Sequence, residues 1–335
     1  MGSKIDIVIP WVDSSDPLWR AEKNKYSLDN VDSVTCDDNE TRYRDWDTIK
    51  YLFRSIEMYM PWVNRVFFLT YGHLPSWINK ECEKLCIVKH IDFIPEEYLP
   101  TFCSHTIELN MHRIKGLAEQ FIYFNDDILA LNTMKEEDFF VQGMPRDYAI
   151  LSPINSTTRL SVQDTALTDL EIINDNFNKN RQIKKFLRKW VSPQYGKELV
   201  RSFCLMPWPY FVGFLSRHQA NAYLKSTFYE VWEKEFQALD STCKHKFRTR
   251  RDVNQWVMRY WQLASGNFLP IKPYGEKYTI KNDNTKLYDT IMNSRDKTIC
   301  INDNNNEEIK NYVQTKNELM RVLEQRYPKK SIFES

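Results

Sequence analysis

The sequence predicts an α/β protein built on a mainly parallel sheet. In its first half, short apolar runs alternate with segments whose apolar residues recur at helical spacing, the order typical of parallel strands covered by helices. The first and last of these apolar runs lead directly into acidic turns, as expected where buried strands end. With 335 residues, 42% of them hydrophobic and 14% aromatic, the chain can bury a sizeable core.

The predicted elements follow one another in a regular order. Ile5 to Trp11 is the first strand, and it leads into the acidic, turn-rich segment Val12 to Pro17. Asp47 can cap a helix that runs to about Met60, where Pro61 stops it. The other elements of this half are a helix near Thr106 to Glu119 and three strands, at Arg65 to Thr70, Leu85 to His90 and Phe121 to Phe124.

After about residue 150 the pattern becomes helical, with helices predicted in 155–204, at 219–237 and 252–264, and near 306–326. We expect four parts. They are an α/β core at 1–154, a basic helical insertion at 155–204, a continuation of the main domain at 205–280, and a variable tail rich in Asn, Asp and Lys at 281–335.

Charge and cysteine content narrow the class of protein. Lys plus Arg number 46 and Asp plus Glu 45, and the net charge of +1 excludes a generic polyanion binder, so no nucleic-acid partner is expected. The seven cysteines are scattered without paired zinc spacing, which favours a reduced compartment. No signal peptide is recognised, and the uncharged run Ser202 to Ser216 is too short to span a bilayer. We expect a cytoplasmic protein, with peripheral contact to the inner face of the plasma membrane as a further expectation.

Acidic residues follow two of the predicted strands. Asp13 and Asp16 follow the first strand, and Asp126 and Asp127 follow the strand that ends at Phe124. Because ligands bind beyond the carboxyl ends of parallel strands, these carboxylates are candidates for a divalent metal or a nucleotide. Adjacent carboxylates also repel each other unless a cation or donor lies between them. The alternative is turn or helix capping by Asp, or a solvated loop.

Two further groups could carry chemistry. Glu108 lies three residues after His105 and four before His112, so all three can share a helical face. His218, Arg248 and Asp252 form the other group, in which His could act as a general base and Arg could bind phosphate. For both groups a structural role is the competing interpretation. The spacing of His218, Arg248 and Asp252 along the chain does not show that they lie near one another in the fold.

The segment 179–201 contains eight Lys or Arg and one acidic residue, Glu198. Such a run is most often a solvated face, although it could also contact anionic lipid or a phosphorylated acceptor. The nearby aromatic residues Trp208, Tyr210 and Phe211 are expected in the core.

Four segments resemble successive conserved blocks of the Stealth family. They read IDIVIPWVDSSDPLW, RYRDWDTIKYLFRSIEMYMPWVNRVFFLT, LPTFCSHTIELNMHRIKGLAEQFIYFNDD and HKFRTRRDVNQWVMRYWQLASGNF, in family order within residues 5–270. The family includes bacterial capsular and exopolysaccharide phosphotransferases and the catalytic subunit of the animal lysosomal-enzyme GlcNAc-1-phosphotransferase. The resemblance implies transfer of sugar-1-phosphate from a UDP-sugar to an acceptor hydroxyl with release of UMP. It also implies a Rossmann-like, glycosyltransferase-A-like core with a helical insertion, so residues 1–154 would bind the nucleotide sugar.

The resemblance also assigns roles to residues of this chain. His218, Arg248, Asp127 and Glu108 match the family's essential positions and are the candidate catalytic residues. Asp126 and Asp127 are candidate ligands of Mg²⁺ or Mn²⁺. The candidate substrate-binding residues are Asp13, Asp16, Arg42, Arg44, Asp126, Asp252, Asn254, His105 and His112. The family's His-x-Pro-x-Pro-Tyr stretch here reads His218-Gln-Ala-Asn-Ala-Tyr, without the prolines.

Three functions remain open on the sequence. The favoured one is transfer of hexose-1-phosphate or N-acetylhexosamine-1-phosphate to an oligosaccharide or lipid-linked glycan. The second is a conventional metal-dependent UDP-sugar glycosyltransferase that uses the same acidic strand ends and releases UDP. The third is a non-catalytic glycan-binding protein, whose aromatic residues and acidic loops would bind sugar without nucleotide.

Overall fold

A computed structural model of the chain describes residues 4–28, 36–37, 45–155, 162–303 and 309–335. Its strands are β1 Ile5–Pro10, β2 Cys36–Asp37, β3 Val66–Thr70, β4 Leu85–Lys89, β5 Gln120–Tyr123, β6 Ile128–Ala130, β7 Phe140–Val141, β8 Met144–Asp147, β9 Asn221–Leu224, β10 Arg248–Thr249, β11 Leu269–Pro270, β12 Glu276–Thr279 and β13 Thr298–Asn302. Its helices are α1 Pro17–Leu28, α2 Ile49–Tyr59, α3 Ser104–Leu109, α4 Val162–Asn176, α5 Lys179–Lys185, α6 Leu187–Trp190, α7 Glu198–Leu205, α8 Lys225–Lys234, α9 Phe236–Lys244, α10 Trp256–Ser265, α11 Thr285–Asn293 and α12 Tyr312–Arg326.

The central sheet has the strand order β4–β3–β1–β5–β9. Its first four strands are parallel, with Ile7 opposite Val66 and Val8 opposite Tyr123, whereas β9 runs antiparallel to β5. The predicted α/β class with a mainly parallel sheet is therefore confirmed. The four strands expected from the apolar runs are β1, β3, β4 and β5.

Side chains of the central strands alternate between two hydrophobic cores, as the two-residue period of a strand requires. Ile5, Ile7 and Ile9 of β1 enter the core beneath α2, α11 and α12. Val8 enters the opposite core, together with α8, α9 and α10. Because both faces are covered, the middle strands β1, β3 and β5 are buried, and the loops that follow their ends can form a site at the surface.

Two predicted helices have different boundaries in the structure. The helix expected at 219–237 begins only at Lys225, because Asn221–Leu224 pairs with β5 as a strand. The helix expected near Thr106 to Glu119 ends at Leu109 and gives way to a single 3₁₀ turn at Met111–Arg113. Gly116, at a φ of 81°, then turns the chain towards β5. Asp47 does not cap α2: its φ is 57°, and its carboxylate pairs with Lys316 at 2.8 Å.

The C-terminal segment expected to form a variable tail contributes to the first core. β13 pairs antiparallel with β6, and β12 pairs with β13, so that a second small sheet abuts α2. Leu323 and Tyr327 are fully buried in this core. The helix expected near 306–326 corresponds to α12.

The insertion at 155–204 is helical as expected, within its described residues from 162 onward, and consists of α4 to α7. Two of the aromatic residues expected in the core are exposed instead: 54% of Trp208 and 66% of Tyr210 reach solvent, whereas Phe211 is buried. Among the described residues, none of the helices is both long and apolar enough to cross a membrane.

Candidate active site

The acidic turns expected to meet do reach the same edge of the sheet. β1 and β5 are adjacent and parallel, so Asp13 and the Asp126–Asp127 pair both lie beyond their carboxyl ends. β9 runs antiparallel beside β5, and Asn221 lies opposite Tyr123. The residues just before β9 therefore lie beside those just after β5, which brings His218 to the acidic pair.

His218, Asp127 and Cys300 form a compact cluster at this edge. His218 Nε2 lies 3.1 Å from Asn125 Nδ2 and 3.6 Å from Asp127 Oδ2. The Cys300 thiol donates to the same Asp127 oxygen at 3.3 Å, and the neighbouring Ile301 N–H donates to the Asp127 carbonyl at 2.8 Å. When Asn125 donates to His218 Nε2, that nitrogen carries the lone pair that a general base needs.

The pKa values of the adjacent carboxyl groups of Asp126 and Asp127 shift in opposite directions. Burial by itself would raise the pKa of Asp127, but the hydrogen bond and charge of His218 outweigh it and lower that pKa. Desolvation, the Asp127 charge and the Asp45 charge raise the pKa of Asp126 well above its ordinary value. Three carboxyl groups therefore lie close together around Asp126, and a cation placed there would relieve the repulsion between them.

A third acidic group, missed by the sequence analysis, borders this site. Burial raises the pKa of Asp45, whose carbonyl accepts hydrogen bonds from the Tyr312 hydroxyl and from Lys316 Nζ. The Thr48 hydroxyl donates to the Asp126 carbonyl at 3.0 Å, which ties the two loops together. Asp45 lies within the second quoted segment, but no local pattern indicated that α12 would cover it.

A cavity of about 960 Å³ opens beside these loops at the carboxyl end of β1. Its walls combine indole and phenol rings with carboxylates, hydroxyls and two lysines. The lining residues are Trp11, Asp13, Ser14, Ser15, Asp45, Asp47, Ile49, Lys50, Tyr51, Leu74, Pro75, Ser76, Trp77, Tyr312, Lys316 and Met320. Such a mixture of aromatic faces and a few polar groups is typical of small-molecule sites.

Asp13 and Asp16 hold the loop that borders the cavity. Asp13 Oδ1 accepts from the backbone N–H and the hydroxyl of Ser15. Asp16 Oδ1 accepts from Trp19 N–H at 2.8 Å, and with Pro17 at the first helical position this is the N-cap of α1. The Asp13 N–H donates to His73 Nε2, so a histidine that the sequence did not single out supports the loop. Asp13 lines the cavity and Asp16 caps a helix.

A second polar cluster, made up of His105, Asp252 and their partners, lies buried on the other face of the sheet. Asp252 accepts from His245 Nδ1, Thr249 N–H and the Thr249 hydroxyl, and lies 3.5 Å from His105 Nδ1. Burial by itself would lower the pKa of His105, but Cys103 and Asp252 raise it to about 9. Hydrogen bonds and the His105 charge overcome burial and lower the pKa of Asp252. The geometry is that of a buried ion pair.

Arg248 and Glu108 belong to the surroundings of this second cluster. Arg248 Nη2 donates to the Ser104 hydroxyl at 2.7 Å, at the start of α3. Glu108 is 6% exposed and accepts from the Tyr123 hydroxyl at 3.0 Å, while its Oε2 has no hydrogen-bond partner. Burial, then Glu108 and more weakly Asp126, raise the pKa of Tyr123. The Tyr123 ring therefore lies between the two clusters.

Four of the expected substrate-binding residues have structural contacts. His112 is 1% exposed and packed among Phe228, Tyr229 and Trp232, and burial lowers its pKa to about 3. Asn254 is also buried, and its side chain accepts from Trp256 N–H at the start of α10, a structural role. His105 and Asp252 lie in the buried ion pair. Arg42 and Arg44 lie outside the described residues.

The residues at the sheet edge fit a divalent cation. Asp127 Oδ1 is buried without a hydrogen-bond partner, and Asp126 carries a crowded carboxylate beside it. Carboxylate oxygens are the ligands that Mg²⁺ and Mn²⁺ prefer. Within the described ranges, two groups bring three ligand atoms within 4.8 Å of one another. They are Asp127 with His218 and Cys300, and Cys103 with His105 and Asp252.

The chain is similar over its whole length to curated polysaccharide phosphotransferases. It is 39% identical to "Capsular polysaccharide phosphotransferase WcwK" of Streptococcus pneumoniae, over 99% of this chain and 98% of the relative. It is 36% identical to "Receptor polysaccharide phosphotransferase WefC" of Streptococcus oralis, over 99% of both. It is 34% identical to "Exopolysaccharide phosphotransferase cps2G" of Lactiplantibacillus plantarum, over 98% and 96%.

Models of Stealth protein conserved region 1 and conserved region 2 match residues 3–31 and 42–147. The chain therefore belongs to the Stealth family, as the resemblance of its four segments predicted. A crystal structure of the galactosyltransferase LgtC aligns with 96% of the chain at 10% identity and a TM-score of 0.39. That likeness is too weak to support an argument.

Proposed function

We propose that the protein transfers hexose-1-phosphate, or N-acetylhexosamine-1-phosphate, from a UDP-sugar to a hydroxyl of a surface-glycan acceptor and releases UMP. The observation that carries this proposal is the pairing of His218 with Asp127 at the carboxyl edge of the sheet, beside a cavity lined by aromatic and acidic residues. Full-length relatives named as polysaccharide phosphotransferases support the same reaction class.

In this reaction His218 acts as the general base. Its Nε2 accepts the proton of the acceptor hydroxyl, and the acceptor oxygen forms a bond to the phosphorus that bears the sugar. The bond from that phosphorus to the oxygen bridging it to UMP breaks, and UMP leaves with the electron pair. The proton held by His218 then passes to solvent, and the product is a phosphodiester between donor sugar and acceptor.

The other residues provide position and charge. Phosphoryl transfer depends mostly on positioning and on neutralising phosphoryl oxygens. We assign the neutralising role to Arg248 on the family resemblance, since its hydrogen bond to Ser104 belongs to the second cluster. Cys300 holds the Asp127 carboxylate in place, and this carboxylate, 3.6 Å from His218 Nε2, would stabilise the imidazolium that forms when His218 takes the proton. Asp126 and Asp127 would hold Mg²⁺ or Mn²⁺, which when bound neutralises charge on the pyrophosphate. Glu108 remains a candidate catalytic residue, because it accepts a hydrogen bond from Tyr123, the last residue of β5.

The cavity beside β1 is the proposed site for the uridine. Trp11, Trp77 and Tyr312 offer aromatic faces for the base, and Asp13 and Ser15 offer acceptors for the ribose hydroxyls. Lys316 forms an ion pair with Asp47 on the wall of the cavity, and in this arrangement it would lie near the phosphates.

The nucleotide product tests this function. The protein is mixed with a panel of UDP-hexoses, Mg²⁺ and mixed oligosaccharide acceptors, and UMP is separated from UDP by ion-exchange chromatography. We expect UMP that appears only when acceptor is present and that is strongly reduced in His218→Ala.

Release of UDP instead would replace the proposal with a conventional glycosyltransferase. If neither nucleotide appears, titration with UDP decides between the remaining functions. Metal-dependent UDP binding keeps the transferase proposal and directs the search to other acceptors, whereas glycan binding without UDP affinity identifies a glycan-binding protein.

A further inference from the structure

The exposed aromatic residues of the helical insertion lie on an uncharged stretch of chain. From Ser202 to Ser216 the sequence has no charged residue, and Phe203, Trp208 and Tyr210 are each at least half exposed to solvent. Val200, one helical turn before Phe203 on α7, is 65% exposed. Single exposed apolar side chains are common on protein surfaces, whereas several exposed in one segment indicate an interaction surface. We call Val200, Phe203, Trp208 and Tyr210 the aromatic patch.

A buried lysine holds this patch in a fixed shape. Lys179 is only 1% exposed, and its Nζ donates to the carbonyls of Leu205, Met206 and Trp208. These carbonyls lie at the end of α7 and in the turn that follows, where the regular hydrogen bonds of the helix end. The following residue in the core, Phe211, is fixed by two hydrogen bonds to Asn174 of α4. The patch is therefore a built surface and its loop is anchored at both ends.

The helices next to the patch carry many basic side chains. The contacts of Lys179 place the start of α5 against the turn that carries Trp208, and α5 and α6 continue from there with further cations. Between residues 179 and 205 the exposed basic residues are Arg181, Lys184, Lys185, Arg188, Lys197 and Arg201. The acidic residue of this range, Glu198, is already paired with Arg201 and Arg217 at 3.7 and 3.8 Å. On the neighbouring helix α4, Glu171 and Asp175 are exposed.

We propose that the aromatic patch and the cations of α5 to α7 form a docking surface for an anionic phospholipid bilayer. Tryptophan and tyrosine combine an apolar ring with a polar tip and are enriched at the interface between lipid and water. The exposed Lys and Arg of α5 to α7 add attraction to acidic headgroups, and each such residue near the membrane surface strengthens binding about fivefold. Neither contribution requires a membrane-spanning helix, since such surfaces lie in the interface plane. Lipid binding is measured without turnover, so it can fail while the proposed reaction stands.

Vesicle sedimentation tests the surface in the full chain. The protein is mixed with vesicles of phosphatidylcholine alone and with vesicles that also contain phosphatidylglycerol, and the bound fraction is measured against lipid concentration. We expect binding to the anionic vesicles that weakens with added salt. Lys184→Gln with Lys185→Gln should weaken binding to the anionic vesicles on the order of 25-fold. Trp208→Ser with Tyr210→Ser, the serine variant, should weaken the part of the binding that persists at high salt.

Two matched variants control for general effects. Lys329→Gln with Lys330→Gln removes an adjacent pair of exposed lysines elsewhere, and Phe236→Ser removes an aromatic side chain of similar exposure, 55%. Both should bind vesicles like the wild type. Trp208→Phe with Tyr210→Phe, which keeps both apolar rings, should retain most of the binding that the serine variant loses, and this result would attribute the loss to removal of the rings.

Three outcomes would overturn the proposal: no sedimentation of the wild type, equal sedimentation of the patch and control variants, or a patch that instead mediates self-association. Analytical ultracentrifugation without lipid, comparing the wild type with the serine variant, detects the last of these.

Discussion

His218 adopts a backbone conformation that residues other than glycine rarely adopt. Its φ is 51°, in the left-handed region, which costs about 1–3 kcal/mol unless the surroundings enforce it. The next residue provides that enforcement: the Gln219 side chain is buried, donates to the Glu276 carbonyl and accepts from the Thr298 hydroxyl. Side-chain hydrogen bonds of Gln219 to the C-terminal sheet therefore hold the chain beside His218, in a stretch where Ala220 and Ala222 stand at the positions of the family's prolines.

Replacement of His218 by Ala should lower turnover by about 10²- to 10⁴-fold, the usual contribution of a general base. The variant should keep the wild-type melting temperature, because the His218 side chain is only partly buried and its loss leaves the core intact. Steady-state UMP release and thermal unfolding measure the two effects. Turnover equal to that of the wild type would remove His218 from the mechanism.

Cys300 should tune the pH dependence of the reaction through Asp127. Its thiol donates to the Asp127 carboxylate and helps to lower the pKa of that group. Cys300→Ala removes the donor, so the acidic limb of the rate profile should move to higher pH, whereas Cys300→Ser should stay near the wild type. Cys204→Ala, at an exposed cysteine, is the control. Identical profiles for the alanine and serine variants would argue that the thiol only fills space.

At the scale of elements, α2 is joined to the C-terminal segment by one buried arginine. Arg54 is 5% exposed, and its guanidinium makes two 2.8 Å hydrogen bonds to Glu334, a third to Glu324 and a fourth to the Tyr327 carbonyl. These contacts connect α2 with α12 and the last residues of the chain. The wall of the cavity that α12 forms therefore depends on them.

Arg54→Met should destabilise the protein by about 3–5 kcal/mol, because it leaves the buried Glu334 carboxylate without its partner. Urea unfolding monitored by tryptophan fluorescence measures the change. Lys50→Met is the matched control: Lys50 lies 3.8 Å from the half-exposed Glu324, so its loss should cost less than about 1 kcal/mol. Equal effects of the two variants would contradict the assigned role of Arg54.

At the scale of the whole molecule, the buried pair of His105 and Asp252 links stability to pH. The folded-state pKa of His105 is about 9, above its ordinary value of 6.5, so its contribution is complete below about pH 6.5 and is lost as pH rises through 9. The pKa of Asp252 is lowered, so its contribution is present above its ordinary value of 3.8 and is lost as pH falls towards the folded-state value.

We therefore expect the free energy of unfolding to fall between pH 6.5 and pH 9.5, and to fall less in His105→Gln. Urea titrations at pH 6, 7.5 and 9.5 on both proteins measure this difference. Parallel pH profiles for the wild type and the variant would show that His105 is not the group responsible.

Prediction from the sequence succeeded where the signal was local. The apolar runs predicted four strands of the central sheet, and the acidic turns after β1 and β5 lie at the same edge of the sheet, as expected. The sequence missed β9, because a four-residue strand next to a helix has too short a pattern to be distinguished from the first turn of that helix. It also missed that the C-terminal segment packs in the core, since its pairing partner β6 is far away along the chain.

By itself, the sequence determined the α/β class, the strand ends that carry carboxylates and the family. Those properties depend on alternation and on motifs within a few residues of each other. The tertiary structure alone decided that Cys300 donates to Asp127, 173 residues away, that Lys316 reaches Asp47 and that Trp208 faces solvent. Contacts of this kind depend on the register and packing of distant elements, for which a local hydrophobic pattern carries no information.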